Sequence, residues 1–170
     1  IIISFFGLVL TGMPLAFRSY EWARWLYELF GGYPTAGFIH RICALITFFA
    51  AFIHFLFLFI CISVQKRKGF FWGPSSLLIQ PRDLFDIVGD IKWFLGIGKR
   101  PDFDQWIYWE KFEYLSLMWG TLVMAVTGLI LWFPVQFTKI IPVSVASIID
   151  LPSIALIVHR YEAILAAGFI

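Results

Sequence analysis

Charged residues are scarce in this chain. Of its 170 residues, 14% are charged and 61% are hydrophobic, whereas a soluble domain is about 45–50% apolar. The net charge of +2 is also too small to indicate a nucleic-acid partner. The shortage of charge therefore argues against an ordinary soluble domain and predicts a protein of the lipid bilayer.

Cysteine and histidine are rare as well. Cys43 and Cys61 are the two cysteines, and the absence of a C-x-x-C-H motif excludes covalent attachment of a c-type haem within these residues. We interpret both cysteines as small, buried apolar residues. Together with the three histidines they form no cluster with the short local spacings of a structural zinc site, so zinc is the weaker metal hypothesis.

Long apolar runs, by contrast, are abundant. A run of about 18 or more apolar residues can cross a bilayer as a helix. Four candidates are Ile1–Phe17, Phe38–Val64, Phe112–Phe133 and Val143–Ile170. They predict an all-α integral membrane protein, a four-transmembrane-helix bundle forming one domain over residues 1–170. The first and last runs lack flanking charges and caps, so we expect this domain to be a piece of a longer chain.

Residues 66–109 form the longest polar connection. Eight of the 13 lysines and arginines lie between Lys66 and Lys111, and basic residues in such connections mark the cytoplasmic side of a membrane. We therefore expect this connection in the cytoplasm. The Arg18–Gly37 loop and the Val135–Pro142 turn are then expected on the outer side.

Two segments have the composition of helices that lie along a membrane surface. Pro81–Gly96 carries its apolar residues on one broad face and its charged residues largely opposite, which predicts an interfacial helix. This helix either covers the ends of the spans or docks a soluble partner. The aromatic segment Arg18–Pro34 has helical spacing, is interrupted by Gly31 and Gly32, and predicts a second interfacial segment.

An internal repeat links the two halves of the chain. The first and third runs end in TGMPLAF (Thr11–Phe17) and TGLILWF (Thr127–Phe133), and the second and fourth contain HRICA (His40–Ala44) and HRYEA (His159–Ala163). The glycine of the first motif precedes the histidine of the second by 28 positions (12 to 40) and by 31 (128 to 159). The repetition predicts parallel two-helix repeats, with both histidines at one depth near the outer face.

Histidines inside apolar spans are candidates for function because they are costly to bury. Axial haem ligation needs two imidazoles at matched depth on different elements, and the repeat supplies them in His40 and His159. His54 follows His40 by 14 positions, a return to within about 40° of the same helix face roughly 21 Å along the axis. We take it as a candidate ligand of a second haem. A hydrogen-bonded histidine at the end of the span is the alternative.

Charged residues accompany the paired histidines. Arg41 and Arg160 each follow a histidine directly, and either neutralise haem propionates or extend to lipid headgroups. Glu162, three positions after His159 in the fourth run, either pairs with one of these arginines or serves a proton path beside a quinone.

These motifs together resemble a known family. TGMPLAF, TGLILWF, the histidine near the start of the second run and IVHRYEA are similar to the membrane cytochrome b subunits of formate dehydrogenase and nickel-iron hydrogenase. EKFEY (Glu110–Tyr114) and HRYEAILA (His159–Ala166) resemble more closely the cytochrome b domains of multihaem quinone-linked respiratory complexes. The resemblance covers nearly the whole sequence.

The resemblance implies a four-helix bundle with two b haems, each held by two histidines. Such subunits carry electrons between the quinone pool and a redox partner, such as a multihaem cytochrome c or an iron–sulfur protein, in the bacterial cytoplasmic membrane. His40 and His159 match the ligands of the haem nearer the outside. The family's second pair of ligands would fall outside residues 1–170, so His54 is the candidate within them.

Other classes of function remain open on sequence alone. The principal alternative is a haem-free membrane anchor or transporter-like bundle, in which the histidines pack or relay protons. A transmembrane reductase that does not use a quinone is a third.

Overall fold

The computed structural model describes residues 1–66, 69, 71–140 and 149–169. These residues form helices and no strand, which confirms the all-α class. The helices are α1 (Ile2–Ala16), α2 (Glu21–Leu29), α3 (Tyr33–Phe59, continued by a π-helix over Ile60–Val64), α4 (Pro81–Phe94), α5 (Tyr108–Trp132), α6 (Pro134–Ile140) and α7 (Leu151–Phe169).

Within the part of the chain that the structure describes, two helices are long and apolar enough to cross a membrane. They are α3 with its π-helix, Tyr33–Val64, and α5, and they correspond to the second and third apolar runs. Buried residues make up 6% and 11% of their most apolar windows, whereas the core helix of a soluble protein is mostly buried. The first run forms the shorter apolar helix α1, of 15 residues. The fourth run begins outside the described residues, and its described helix, α7, starts at Leu151.

The pattern of burial is the reverse of that of a soluble protein. Large apolar side chains along α3 are exposed, for example Phe49 at 66% and Phe52 at 63%. The buried side chains are in large part polar or small. They include Ser4, Thr11, Ala23, Ala36, Ser76, Asp83, Lys111, Thr127 and Ala155. Small and polar residues at helix contacts are typical of helices that associate in lipid.

The described chain separates into two compact units. One unit comprises residues 1–55 with 120–170, and the other comprises residues 56–119. In the first unit, α1 packs against α2 and α7. Helix α1 also lies antiparallel to α3, because Ser4 contacts Thr47 (3.0 Å between hydroxyl oxygens) and Thr11 contacts His40.

The aromatic segment after α1 is helical, as predicted. Helix α2 ends before Gly31 and Gly32, whose φ angles of 82° and 93° lie in the left-handed region that favours glycine. The reversal places Tyr27 against Tyr33, with ring centroids 3.8 Å apart. Tyr27 is 2% exposed, and burial raises its pKa to about 12.

The second unit is built around α4, for which the sequence predicts a helix over Pro81–Gly96. Pro81 occupies the first turn, where its missing N–H costs no hydrogen bond. The Asp83 carboxylate accepts a hydrogen bond from the Gln80 N–H at 2.7 Å. The Lys111 ammonium donates to the other Asp83 oxygen at 2.7 Å. This contact fixes α4 to the first turn of α5.

Helix α4 turns its acidic residues towards the protein and its apolar face outwards. Asp83 and Asp86 are 2% and 9% exposed, whereas Phe85 and Phe94 are 76% and 85% exposed. Tyr108 donates a hydrogen bond to Asp90 at 2.9 Å from the start of α5. The amphipathic pattern is therefore confirmed as a helix, with the apolar side uncovered within its unit.

The connection after the third run differs from the expected turn. Residues Pro134–Ile140 form the short helix α6, and the last two positions of the expected turn, 141 and 142, lie outside the described residues. Thr138 donates a hydrogen bond to the Pro134 carbonyl at 3.0 Å within it. The helix forms because Pro134 sets the backbone angle of the first turn and the following residues carry no further proline until position 142.

Candidate functional site

His40 on α3 and His159 on α7 lie next to each other. Their ring centroids are 6.4 Å apart and their ring planes meet at 68°. Both residues are half-buried. Two histidines that are 119 positions apart in the sequence (40 to 159) thus share one location between two helices.

We call TGMPLAF with HRICA the first motif pair, and TGLILWF with HRYEA the second. Each histidine contacts the threonine of its own motif pair. Thr11 Oγ1 lies 2.9 Å from His40 Nδ1, and Thr127 Oγ1 lies 2.8 Å from His159 Nδ1. The same hydroxyls donate hydrogen bonds to the carbonyl four residues earlier, at Gly7 (2.6 Å) and at Val123 (2.7 Å). The two motif pairs therefore make the same contacts.

The glycine after each threonine lets the imidazole approach the neighbouring helix. A Cβ atom built on Gly12 would lie 3.0 Å from His40 Cε1, and one on Gly128 would lie 3.3 Å from His159 Cε1. Such distances are shorter than nearly all real Cβ contacts. A larger residue at either position would therefore push against the ring.

The two arginines reach across to the motif of the other half. The Arg41 guanidinium carbon lies 5.6 Å from the centroid of Trp132, and that of Arg160 lies 5.3 Å from the centroid of Phe17. Both distances are within the range of cation–π attraction. The threonine contacts thus form within each motif pair, and the arginine contacts form between the pairs.

Glu162 lies one turn after His159. A Cβ atom built on Gly120 would lie 2.8 Å from Glu162 Oε1, so the carboxylate rests against the α5 backbone. No ion pair joins Glu162 to Arg41 or Arg160, all three of which the structure describes. The expected ion pairing is therefore not observed, and both arginines use aromatic rings instead.

Helix α7, which carries His159, begins at a defined cap. Asp150 accepts hydrogen bonds from the Ser153 N–H (3.3 Å) and from the Ser153 hydroxyl (2.5 Å). The Ser153 hydroxyl and amide lower the pKa of the Asp150 carboxyl. An ionised carboxylate at this position also complements the partial positive charge of the helix N-terminus.

The structure places the remaining sequence candidates apart from this pair. His54 lies on α3, 14 positions after His40, with its ring 6.2 Å from that of Phe55. The other two histidines of the chain contact each other. Cys61 is buried, and Cys43 is half-buried with its sulfur against Gly7, which agrees with a packing role for both.

The described residues contain no group of three or more histidine, cysteine, aspartate or glutamate side chains that could hold a metal ion. His40 and His159 would thus supply two protein ligands, fewer than the four that a structural zinc site prefers. Comparisons with protein-family models, curated proteins and solved structures give no match for this chain.

Sequence reasoning missed the roles of several residues. Thr11 and Thr127 belong to the repeated motif, but nothing in their type points to a histidine contact. Their similar spacing to the histidines, 29 and 32 positions, was the available signal. The Asp83–Lys111 ion pair had no such signal, because the two residues belong to no repeated motif and lie 28 positions apart.

Proposed function

We propose that this chain is a b-type haem membrane subunit that carries electrons across the membrane between the quinone pool and a partner redox subunit of a respiratory complex. The observation that carries the proposal is the His40–His159 pair. Two half-buried imidazoles on different helices, each tied at Nδ1, are the ligand set that a bis-histidine haem requires.

The separation of the two rings fits a metal between them. A bond from a metal to an imidazole nitrogen is about 2.0–2.1 Å and the ring centroid lies about 1.1 Å behind that nitrogen, so His40 and His159 would hold a metal between them at a centroid distance of about 6.3 Å. The observed centroid distance is 6.4 Å.

The surroundings of the pair also suit a porphyrin. Gly12 and Gly128 carry no side chain where the rings approach α1 and α5. The guanidinium groups of Arg41 and Arg160 lie over aromatic rings beside the pair, and each carries five N–H donors that suit a haem carboxylate. When bound, a bis-histidine haem b takes up and releases one electron without binding a further ligand. The chain's own part is to orient the imidazoles, balance charge and exclude water.

The proposal extends to the membrane arrangement. We assign α1, α3, α5 and α7 as four spans in two parallel repeats, with the paired histidines towards the outer face and residues 66–109 in the cytoplasm of a bacterial cell. The matching threonine contacts of the two motif pairs support the repeats. The family resemblance supports a quinone, a multihaem cytochrome c or iron–sulfur partner, and a second haem for which His54 is the candidate ligand.

Helix α4 fits the proposed membrane surface. Its exposed residues Phe85 and Phe94 are apolar, while its acidic residues face Lys111 and Tyr108. Arg100 follows the helix and stacks on Trp93 at 5.3 Å. Aromatic and basic residues beside an apolar face are typical of helices at the level of the lipid headgroups.

The visible spectrum of the purified chain, with its haem-to-protein ratio, tests the proposal. We expect a reduced-minus-oxidised b-type spectrum, and we expect His40→Ala and His159→Ala to remove the same haem. His54→Ala is the matched control, because it removes a histidine from α3 without touching the pair. It should leave that haem in place and remove at most a second one.

The opposite outcome would favour the alternative. If the native chain binds no haem, or if both replacements leave the haem unchanged, the histidines pack or relay protons in a haem-free anchor or transporter-like bundle. If His54→Ala loses haem while His40→Ala and His159→Ala keep it, His40 and His159 are not the haem ligands.

A further inference from the structure

The hydroxyl groups of Thr11 and Thr127 have a defined hydrogen-bonding direction. Each is buried, at 1% and 7% exposure, and each donates to the carbonyl four residues earlier at 2.6–2.7 Å. A hydroxyl has one proton to donate and two lone pairs that accept. Because that proton is used within the helix, the short contact with histidine needs the imidazole Nδ1 as donor.

This direction determines the tautomer of both histidines. A neutral imidazole carries one proton, so an Nδ1–H that donates to threonine leaves the lone pair on Nε2. The coordinating nitrogen of a metal-bound histidine is fixed in the same way, by the hydrogen bond that the other nitrogen makes. Both imidazoles therefore present the same atom, Nε2, for coordination.

We propose that Thr11 and Thr127 are positioning residues for the haem ligands His40 and His159. The inference rests on the proposed function and adds to it the groups that orient the ligands and set their electron donation. A neutral hydroxyl acceptor increases the basicity of an imidazole less than a carboxylate would, but more than a hydrocarbon side chain. Loss of the hydroxyl therefore weakens coordination and stabilises the reduced metal relative to the oxidised one.

The test compares valine and serine at each threonine in the purified, haem-containing chain. Valine keeps the shape and removes the hydroxyl, whereas serine keeps the hydroxyl. Thr47→Val is the matched control. Thr47 also donates to the carbonyl four residues earlier (Cys43, 3.0 Å) and bonds to Ser4 between α1 and α3, but neither bond involves a histidine.

The readouts are haem affinity, the midpoint potential from spectroelectrochemistry and the low-temperature electron paramagnetic resonance spectrum of the oxidised haem. We expect Thr11→Val and Thr127→Val to weaken haem binding about 10-fold or more and to raise the potential of one and the same haem. The serine variants and Thr47→Val should match the native chain in all three measurements.

Each other outcome counts against the inference. A valine variant with unchanged affinity, potential and resonance spectrum would overturn it. So would haem loss in the serine variant as well as in the valine variant, a Thr47→Val effect of equal size, or shifts of two different haems by Thr11→Val and Thr127→Val. Absence of haem from the native chain would instead overturn the proposed function, and the inference with it.

Discussion

Asp83 and Lys111 form an ion pair that is shielded from water. The Lys111 Nζ atom lies 2.7 Å from Asp83 Oδ1, and the two side chains are 0% and 4% exposed for lysine and aspartate, respectively. Asp83 also caps the first turn of α4. One carboxylate thus starts the amphipathic helix and fixes it to the base of a candidate membrane span.

We expect Lys111→Met to destabilise the protein strongly. The substitution leaves Asp83 buried without its cation, and breaking a buried pair from one side costs roughly 3–5 kcal/mol. Asp83→Asn combined with Lys111→Met should recover part of this loss, because no charge is then left unpaired. The free energy of unfolding in a denaturing-detergent titration measures both effects, with exposed Lys99→Met as the control. A double variant as unstable as the single one would contradict the prediction.

The glycines beside the histidines should not tolerate alanine. Gly12→Ala would place a Cβ atom 3.0 Å from the His40 ring, and Gly128→Ala would place one 3.3 Å from the His159 ring. Overpacking costs typically about 1–3 kcal/mol, so we expect reduced haem retention, with the larger loss in Gly12→Ala. Gly37→Ala on α3 is the control, since nothing lies within 4 Å of its Cβ position. The haem content of each purified variant is the measurement. Equal haem retention in all three variants would refute the steric argument.

Replacing the arginines should lower the midpoint potential of the haem that we propose at the His40–His159 pair. Arg41→Gln and Arg160→Gln each remove a positive charge next to a proposed ligand, and loss of positive charge favours the oxidised, more positive form of a haem. Spectroelectrochemistry measures the shift. Arg24→Gln, on α2, is a charge-matched control that should leave the potential unchanged. Equal shifts in all three variants would mean that overall charge, rather than position, is responsible.

Tyr27→Phe should stabilise the protein by about 1 kcal/mol. The Tyr27 hydroxyl is buried and has no hydrogen-bond partner within the described residues, and an unsatisfied buried hydroxyl costs stability. Burial raises its pKa from 10.0 to about 12. The unfolded chain therefore loses this proton first, and the native protein should lose stability as the pH rises from 10 towards 12.

In Tyr27→Phe, the loss of stability between pH 10 and 12 that comes from this hydroxyl should disappear. Tyr20→Phe removes an exposed hydroxyl and should show the same loss of stability as the native protein. Thermal unfolding followed by circular dichroism at pH 8 to 12 compares the three proteins. A native-like decline in Tyr27→Phe would show that another group controls alkaline unfolding.

The exposed face of α4 should be protected by lipid. In nanodiscs that contain the chain without partner subunits, we expect Phe85→Cys to react slowly with a water-soluble maleimide. Gly98→Cys, in the loop after α4, should react rapidly. The native chain gives the background from Cys43 and Cys61. Equal reaction rates at the two positions would contradict the lipid contact and favour the alternative, in which the apolar face of α4 docks a soluble partner.

The sequence by itself determined the helical class, the amphipathic helix that begins at Pro81, the helical aromatic segment after α1 and the positions of the two most apolar helices. These features follow from local pattern, because period, composition and turn residues act over one or two turns of chain. The two histidine motifs were visible for the same reason. The short helix over Pro134–Ile140 was not, since a two-turn helix has too few residues to show a period.

The tertiary structure alone decided which groups meet. It places His40 next to His159, and each histidine contacts a threonine, on α1 or α5 respectively. It also places Arg41 and Arg160 over aromatic rings of the opposite motif pair. It also turns the acidic residues of α4 inwards, because the buried Lys111 lies there to neutralise Asp83. These choices depend on the packing of helices far apart in sequence, and no local pattern contains that information.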